Sequence, residues 1–279
     1  MKYHSRRDFL KTSAGFTAAS LMASTCTASK KQPIPVALQL YSIRTECKKD
    51  FPASIAAVAE MGYQGVEFAG YYDTSAKDLR KILDDNGLKV AGTHTQLDTL
   101  SPKKLPKTVE YNHIIGNQNL IVPWLNPSDY PTKDSWIRLA ETFNQLAEKL
   151  KKVSMRIGYH NHDFDFKPID GEMPWDILGQ NTSQDVILQL DTANAMNAGA
   201  DPLFYLKKYI NRAVTIHMKE ASLTKKNYYL GEGDVPWPEL VETCVSSGTT
   251  EWYIIEEEQF FCAPLECVRE DLIRFKTFI

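Results

Sequence analysis

The chain has 279 residues, 43% of them hydrophobic, enough to bury one barrel-sized core rather than two small ones. Residues 1–31 hold six Lys/Arg and one Asp, so without them the net charge falls from −3 to −8, the wrong sign for a nucleic-acid partner. Cys47, Cys244, Cys262 and Cys267 match no zinc spacing and are expected to be buried free thiols, although an oxidising destination would permit a disulfide.

The first segment, Ser5-Arg6-Arg7-Asp8-Phe9-Leu10-Lys11, precedes a small-residue apolar stretch from Thr12 to Ala23 that is too short and too polar for a permanent membrane span. Residues 1–31 read as a twin-arginine (Tat) signal segment and short linker, which implies export of an already folded protein to the periplasm and no transmembrane span. Cys26 stands where a lipidated cysteine would, but Ala23-Ser24-Thr25 before it is a poor lipidation signal.

Residues 32–279 form one predicted domain. Short aliphatic or β-branched runs alternate there with longer amphipathic stretches, the pattern of repeated βα units around a parallel sheet. Predicted strands are Val36–Arg44, Gly65–Gly70, Lys89–Leu97, Asn119–Leu125, Met155–His162, Val186–Asp191, Ala213–Glu220 and Trp252–Glu258, each followed by a helical stretch. Eight such pairs give a (β/α)8 TIM barrel. The clearest helix follows the fourth strand, with Trp136, Leu139, Ala140, Phe143, Leu146, Ala147 and Leu150 on one face. Gly62, Gly87, Gly116 and Gly248 stand where left-handed caps would end helices.

In such a barrel the C-terminal strand ends converge on one face, and here they are polar: Gln39 and Tyr41, Glu67, His94, His160 and His162, Gln189 and Asp191, His217 and Lys219, Glu256 and Glu258. Strand alternation sends Met155, Ile157 and Tyr159 towards the helices and His160 and His162 inward. The same parity turns Gln189 with Asp191, His217 with Lys219, and Glu256 with Glu258 into the mouth, and leaves Glu257 facing away. Burying unpaired groups of this kind costs several kcal/mol, and one divalent cation offsets their charge. Mixed imidazole and carboxylate ligands suit Mn, Zn, Co, Fe or Mg rather than Ca; the sequence does not choose among them.

The same residues resemble the xylose isomerase-like barrel superfamily, in its sugar phosphate isomerase/epimerase branch, which is related to inosose dehydratase and AP endonuclease family 2. The resemblance is carried by Leu38-Gln39-Leu40-Tyr41-Ser42-Ile43-Arg44, Gly158-Tyr159-His160-Asn161-His162-Asp163-Phe164, Leu190-Asp191-Thr192-Ala193-Asn194-Ala195 and Gly199-Ala200-Asp201-Pro202. It continues in His217-Met218-Lys219-Glu220, Gly231-Glu232-Gly233 and Ile255-Glu256. It implies one metal held from strands five to eight, by His160, Asp191, His217 and Glu256, with His162 able to replace His160 or to touch substrate. It also implies Lys219, His94, Gln39, Glu67 and Glu232 as substrate contacts. One departure is that epimerases of the superfamily use a glutamate on strand five as a second base, and this chain has histidine there. A Tyr-His-x-His strand is more similar to the inosose dehydratase branch.

The expected chemistry is proton abstraction next to a carbonyl, with Glu256 or a neighbouring histidine as base, Lys219 donating to the developing oxyanion, and His162 or Lys219 as the second base. Reprotonation gives an isomerase or epimerase; loss of water or an aglycone gives a lyase; a non-catalytic sugar-binding barrel is the third reading. Export points to a non-phosphorylated keto-sugar or oxidised glycoside as the small-molecule partner, and the aromatics Tyr41, Tyr71, Tyr72, Trp124 and Trp237 suit stacking on a sugar face. The oligomeric state is open, a homo-oligomer included.

Overall fold

The structure is a computed structural model, and it describes residues 33–259 and 261–279. The expected export signal, its cleavage region and Cys26 lie outside the described residues. The strands are β1 (Val36–Gln39), β2 (Gly65–Phe68), β3 (Lys89–His94), β4 (Asn119–Val122), β5 (Arg156–His160), β6 (Val186–Gln189), β7 (Thr215–Met218) and β8 (Trp252–Ile255). The helices are α1 (Arg44–Lys49), α2 (Phe51–Met61), α3 (Ala76–Asp85), α4 (Leu105–Ile115), α5 (Lys133–Lys151), α6 (Pro174–Asn181), α7 (Thr192–Asn197), α8 (Pro202–Lys208), α9 (Trp237–Ser247) and α10 (Pro264–Phe275).

All strand pairs are parallel, in the order β6-β5-β4-β3-β2-β1-β8-β7. The two end strands meet through a single parallel bridge between Asp191 and His217, reinforced by the His217 N–H donating to Leu190 O at 2.9 Å. This is a nearly closed TIM barrel in one domain, and its seam runs through two of the residues expected at the metal. Strands buried on both faces explain the near-continuous aliphatic runs of β4 and β6.

The predicted apolar face of α5 is buried residue for residue, and Thr132 and Ser135 close a reciprocal capping box at its start. Gly62, Gly87, Gly116 and Gly248 have φ of 92°, 66°, 80° and 68°, the left-handed backbone that an ending helix requires.

Three expectations are corrected. Strands end earlier than the sequence pattern suggests, because side chains at their tips capture the backbone: Gln39 Oε1 accepts the Tyr41 N–H at 3.0 Å and starts a 3-10 turn over Leu40–Ile43. Among the described residues only Cys47 and Cys244 are buried free thiols, since Cys262, in the segment joining β8 to α10, forms a disulfide with Cys267 within α10. Trp237 is not at the mouth; it is buried, and its indole N–H donates to Glu220 Oε2 at 2.7 Å.

Candidate functional site

The site begins with Asp191, just beyond β6. Its Oδ1 accepts the Asn194 N–H at 2.7 Å and caps α7, while its backbone N–H donates to Asn161 Oδ1 at 2.7 Å. With both ends of the residue fixed, the second carboxylate oxygen has one direction left. Oδ2 is buried in the barrel mouth with no hydrogen-bond partner. Three cationic or imidazole groups stand just outside bonding range: His160 Nε2 and His217 Nδ1, each at 3.9 Å, and Lys219 Nζ at 3.8 Å.

The imidazoles are aimed from behind. His160 Nδ1–H donates to Gln189 Oε1 at 3.0 Å, which leaves Nε2 turned to Asp191. Glu67 Oε2 lies 2.6 Å from His217 Nε2, which leaves His217 Nδ1 facing Glu256 Oε2 at 3.1 Å. Glu67 is itself held by Gln39 Nε2 at 2.8 Å and Gln189 Nε2 at 2.9 Å. Its room comes from the backbone. The β2–β3 register shifts between Val66 and Glu67, setting Glu67 opposite Gly92, where a Cβ would lie 2.5 Å from Glu67 Oε1.

The electrostatics follow from burial. Burial disfavours a charge on His217, but the Glu67 and Glu256 carboxylates outweigh it and raise its pKa to about 10. Burial likewise opposes ionisation of Glu256, yet Lys219 and His217 hold its carboxyl well below the ordinary range. Burial and the nearby Glu256 charge raise Asp191, against the pull of Lys219. His160 is kept neutral by burial and by the imidazoles of His217 and His94; burial and the Lys219 ammonium lower His162 to about 4. A protonated His217 and the Lys219 ammonium offset part of the carboxylate charge gathered here.

His160, Asp191, His217 and Glu256 each offer one atom within 4.8 Å of the others. Metal–ligand bonds of about 2.0–2.2 Å put donors on one ion up to roughly 4.4 Å apart, close to this spread. An orphaned, buried carboxylate oxygen among two oriented imidazoles and a second carboxylate fits a divalent cation. The carboxylate–histidine contact behind His217 is the outer shell such ligands commonly carry. His94, with His160 and His217, forms a second, overlapping group.

Among the other expected residues, Tyr41, His94, His162 and Lys219 line the mouth cavity of about 320 Å³. His162 is half-buried with an unpartnered Nδ1, and stands beside the ligand group rather than in it. Lys219 bonds Glu258 and lies 3.5 Å from Glu256 Oε2. Gln39 and Glu67 are fully buried beneath the cavity, so the geometry makes them positioning residues rather than substrate contacts. Glu232 does not line the mouth: its carboxylate pairs with Arg274 at 3.0 Å and accepts the Tyr229 N–H at 3.0 Å, so its expected substrate contact is not supported. The Gly231-Glu232-Gly233 loop instead wraps buried Glu220, whose carboxylate accepts the Gly231 N–H at 2.7 Å.

Sequence reasoning assigned no role to Gln189 or Asn161. Gln189 links His160, His94, Glu67 and Thr215 through both ends of its amide. Its shared parity with Asp191 was the available signal. Trp124, 46% exposed, and Tyr41, 42% exposed, form the rim, whereas Tyr71 and Tyr72 line a neighbouring cavity.

Comparison with known proteins agrees with this fold. An inosose dehydratase of Bacillus thuringiensis (strain Al Hakam) is 24% identical over 247 residues, covering 75% of this chain and 82% of that protein. One from Lacticaseibacillus casei is 26% identical over the same length, with 75% and 82% covered. A sugar phosphate isomerase/epimerase from Parabacteroides distasonis ATCC 8503 superposes with a TM-score of 0.73 at 22% identity, covering 86% of this chain and 96% of that one. Residues 55–276 match the family described as xylose isomerase-like TIM barrel, and the chain belongs to that family.

Proposed function

We propose that this protein is a divalent-metal-dependent carbohydrate enzyme that removes the proton next to the carbonyl of a non-phosphorylated keto-sugar or oxidised glycoside and returns it as an isomerase or epimerase. The observation that carries the reading is the buried, unpartnered Asp191 Oδ2 facing His160, His217 and Glu256 at the floor of an open cavity. When bound there, a cation supplies Lewis-acid polarisation of the substrate oxygens.

The chain's own groups supply the rest. Glu256 lines the cavity and is held ionised, so it can accept the α-proton. Lys219 presents a buried ammonium to oxygen that gains charge as the proton leaves. His162, neutral and lining the cavity, can hold or return a proton. The lining carries one Lys and no Arg, and that Lys is already matched by Glu256, Glu258 and Asp191. Such a wall suits neutral hydroxyls better than a phosphate dianion. A periplasmic destination, part of this proposal, agrees with that choice.

A second reading, elimination of water or an aglycone, is favoured by His160 standing where a two-base epimerase needs a carboxylate, and by the inosose dehydratase relatives. Both readings share the first step. Incubation of metal-loaded protein in D₂O with keto-sugars, 3-keto-glycosides and keto-polyols separates them. Deuterium beside the carbonyl of an unchanged skeleton identifies the first, and loss of water or aglycone the second. Glu256→Gln is expected to lower turnover by about 10²–10⁴-fold. Binding without turnover in wild type and variant alike would refute both and leave a sugar-binding barrel.

A further inference from the structure

A second cavity, of about 680 Å³, opens beside the first and shares His94 and Gln96 with it. At about 320 Å³ the mouth cavity is near the lower end of small-molecule sites, roughly 300–1,000 Å³, and is suited to one sugar-sized group; its neighbour has twice that room. The two together are more than a monosaccharide requires.

The second cavity is built rather than left over. Its base is a closed network: Thr93 Oγ1 donates to Asn112 Oδ1 at 3.0 Å, and the Tyr71 hydroxyl donates to the same oxygen at 3.3 Å. Tyr71 stacks on Tyr111 with ring centroids 4.1 Å apart, giving the cavity an aromatic wall. The loop after β2 that forms its rim is held in costly backbone. Tyr72 and Asp73 both have positive φ, 50° and 56°, and the Tyr111 hydroxyl ties the loop down by donating to Thr74 O at 2.7 Å. Consecutive left-handed residues without glycine cost of order 1–3 kcal/mol each and concentrate at ligand-clamping segments. The charged lining side chains are one of each sign, Lys107 and Asp73, which favours an uncharged occupant.

We propose that this cavity is a second substrate subsite, which seats an uncharged ring joined through a glycosidic oxygen to the keto-sugar at the mouth, with the linkage crossing His94 and Gln96. The substrate class is thereby a glycoside, with a sugar or an aryl ring as the distal group. This rests on the proposed keto-sugar chemistry for the proximal ring only. The aromatic wall matches the apolar face of a pyranose, and equally the face of an aryl aglycone.

The test compares metal-loaded full-length protein with Thr108→Trp, which fills the cavity from α4, and with Lys107→Trp as a second filling variant should the first fail to fold. A keto-monosaccharide, the corresponding keto-disaccharide and its p-nitrophenyl keto-glycoside are the substrates. The expected result is at least a tenfold loss of kcat/KM for one or both glycosides, with the monosaccharide changed less than twofold. Equal loss for all three, or no loss for either glycoside, overturns the subsite. The disaccharide and aryl arms identify which distal ring it takes. If wild type turns over none of them, the keto-sugar reading has failed, and saturation-transfer NMR with unoxidised disaccharide and p-nitrophenyl glycoside decides the subsite alone. Binding of either that filling abolishes supports it; no binding, or binding unaffected by filling, overturns it.

Discussion

Two buried polar clusters share this barrel, and their hydrogen bonds are finished in one and unfinished in the other. Around β3 and β4, Asn117 donates to Asn112 Oδ1 at 2.8 Å, Thr93 Oγ1 at 2.9 Å and Asn119 O at 2.9 Å. Asn119 in turn donates to Ala91 O at 2.8 Å and accepts from Arg156 Nε at 2.9 Å. These amides and hydroxyls carry no net charge and complete one another's bonds. At the mouth, the surrounding ionisable groups leave Asp191 Oδ2 bare although the rest of that residue is tied down. A closed network raises specificity and stability; an orphaned buried acceptor costs free energy and persists where something else is meant to complete it.

The largest effect that would break this contrast is expected at Asp191. Asp191→Asn keeps an oxygen for the α7 cap but removes the charge from the orphan position. Metal affinity, read by metal analysis after dialysis and by the metal-induced rise in Tm, should fall by more than the roughly 10–100-fold typical of outer-shell partners. The metal-free variant should melt no lower than metal-free wild type. If it melts far lower while retaining metal, the mouth cluster is structural and the comparison fails. The opposite outcome is expected at Asn117→Ala, which strips donors from Thr93, Asn112 and Asn119 at once. Urea unfolding should show a loss of about 2–4 kcal/mol with metal affinity unchanged.

How much of this was legible depended on whether a residue's partners could be inferred from chain periodicity. The eight βα units and the inward parity of His160, Asp191, His217 and Glu256 follow from alternation along single strands, and the structure gathers these residues within reach of one ion. The work of Gln189 was not legible, because its amide serves residues on β2, β3, β5 and β7, and no single segment reveals that convergence. Strand ends were overrun because capping by Gln39 and Asp191 competes with the ladder through side-chain geometry that propensity does not encode. The Cys262–Cys267 pairing depends on a segment folding back to a Cα separation of 5.8 Å, which spacing alone does not fix. Glu232 and Trp237 both follow β7, yet Glu232 pairs with Arg274 on α10 and Trp237 is buried against Glu220.

A subtler test sits behind the ligands. Glu67→Gln preserves the shape that Gly92 makes room for, but it replaces the carboxylate that orients His217 with an amide. Metal affinity should fall by about 10–100-fold, less than for Asp191→Asn, and isothermal titration would register the difference. An unchanged affinity would mean that His217 is held by packing alone, and that the mouth cluster's second layer is as self-contained as the asparagine network.

The smallest effect is expected at the outer edge of the closed cluster. Arg156 extends it towards solvent through two bonds to Glu251, at 2.7 and 2.6 Å, with the two side chains 31% and 49% exposed. Exposed pairs typically contribute about 0.2–1 kcal/mol, because water already solvates both partners and salt screens them. Glu251→Gln should therefore cost no more than about 1 kcal/mol in urea unfolding, and less at high ionic strength. Arg156 keeps its bond to Asn119 in that variant, so the buried amides stay satisfied. A loss as large as that of Asn117→Ala would show that the network takes its stability from the ion pair at its edge rather than from its own completed bonds.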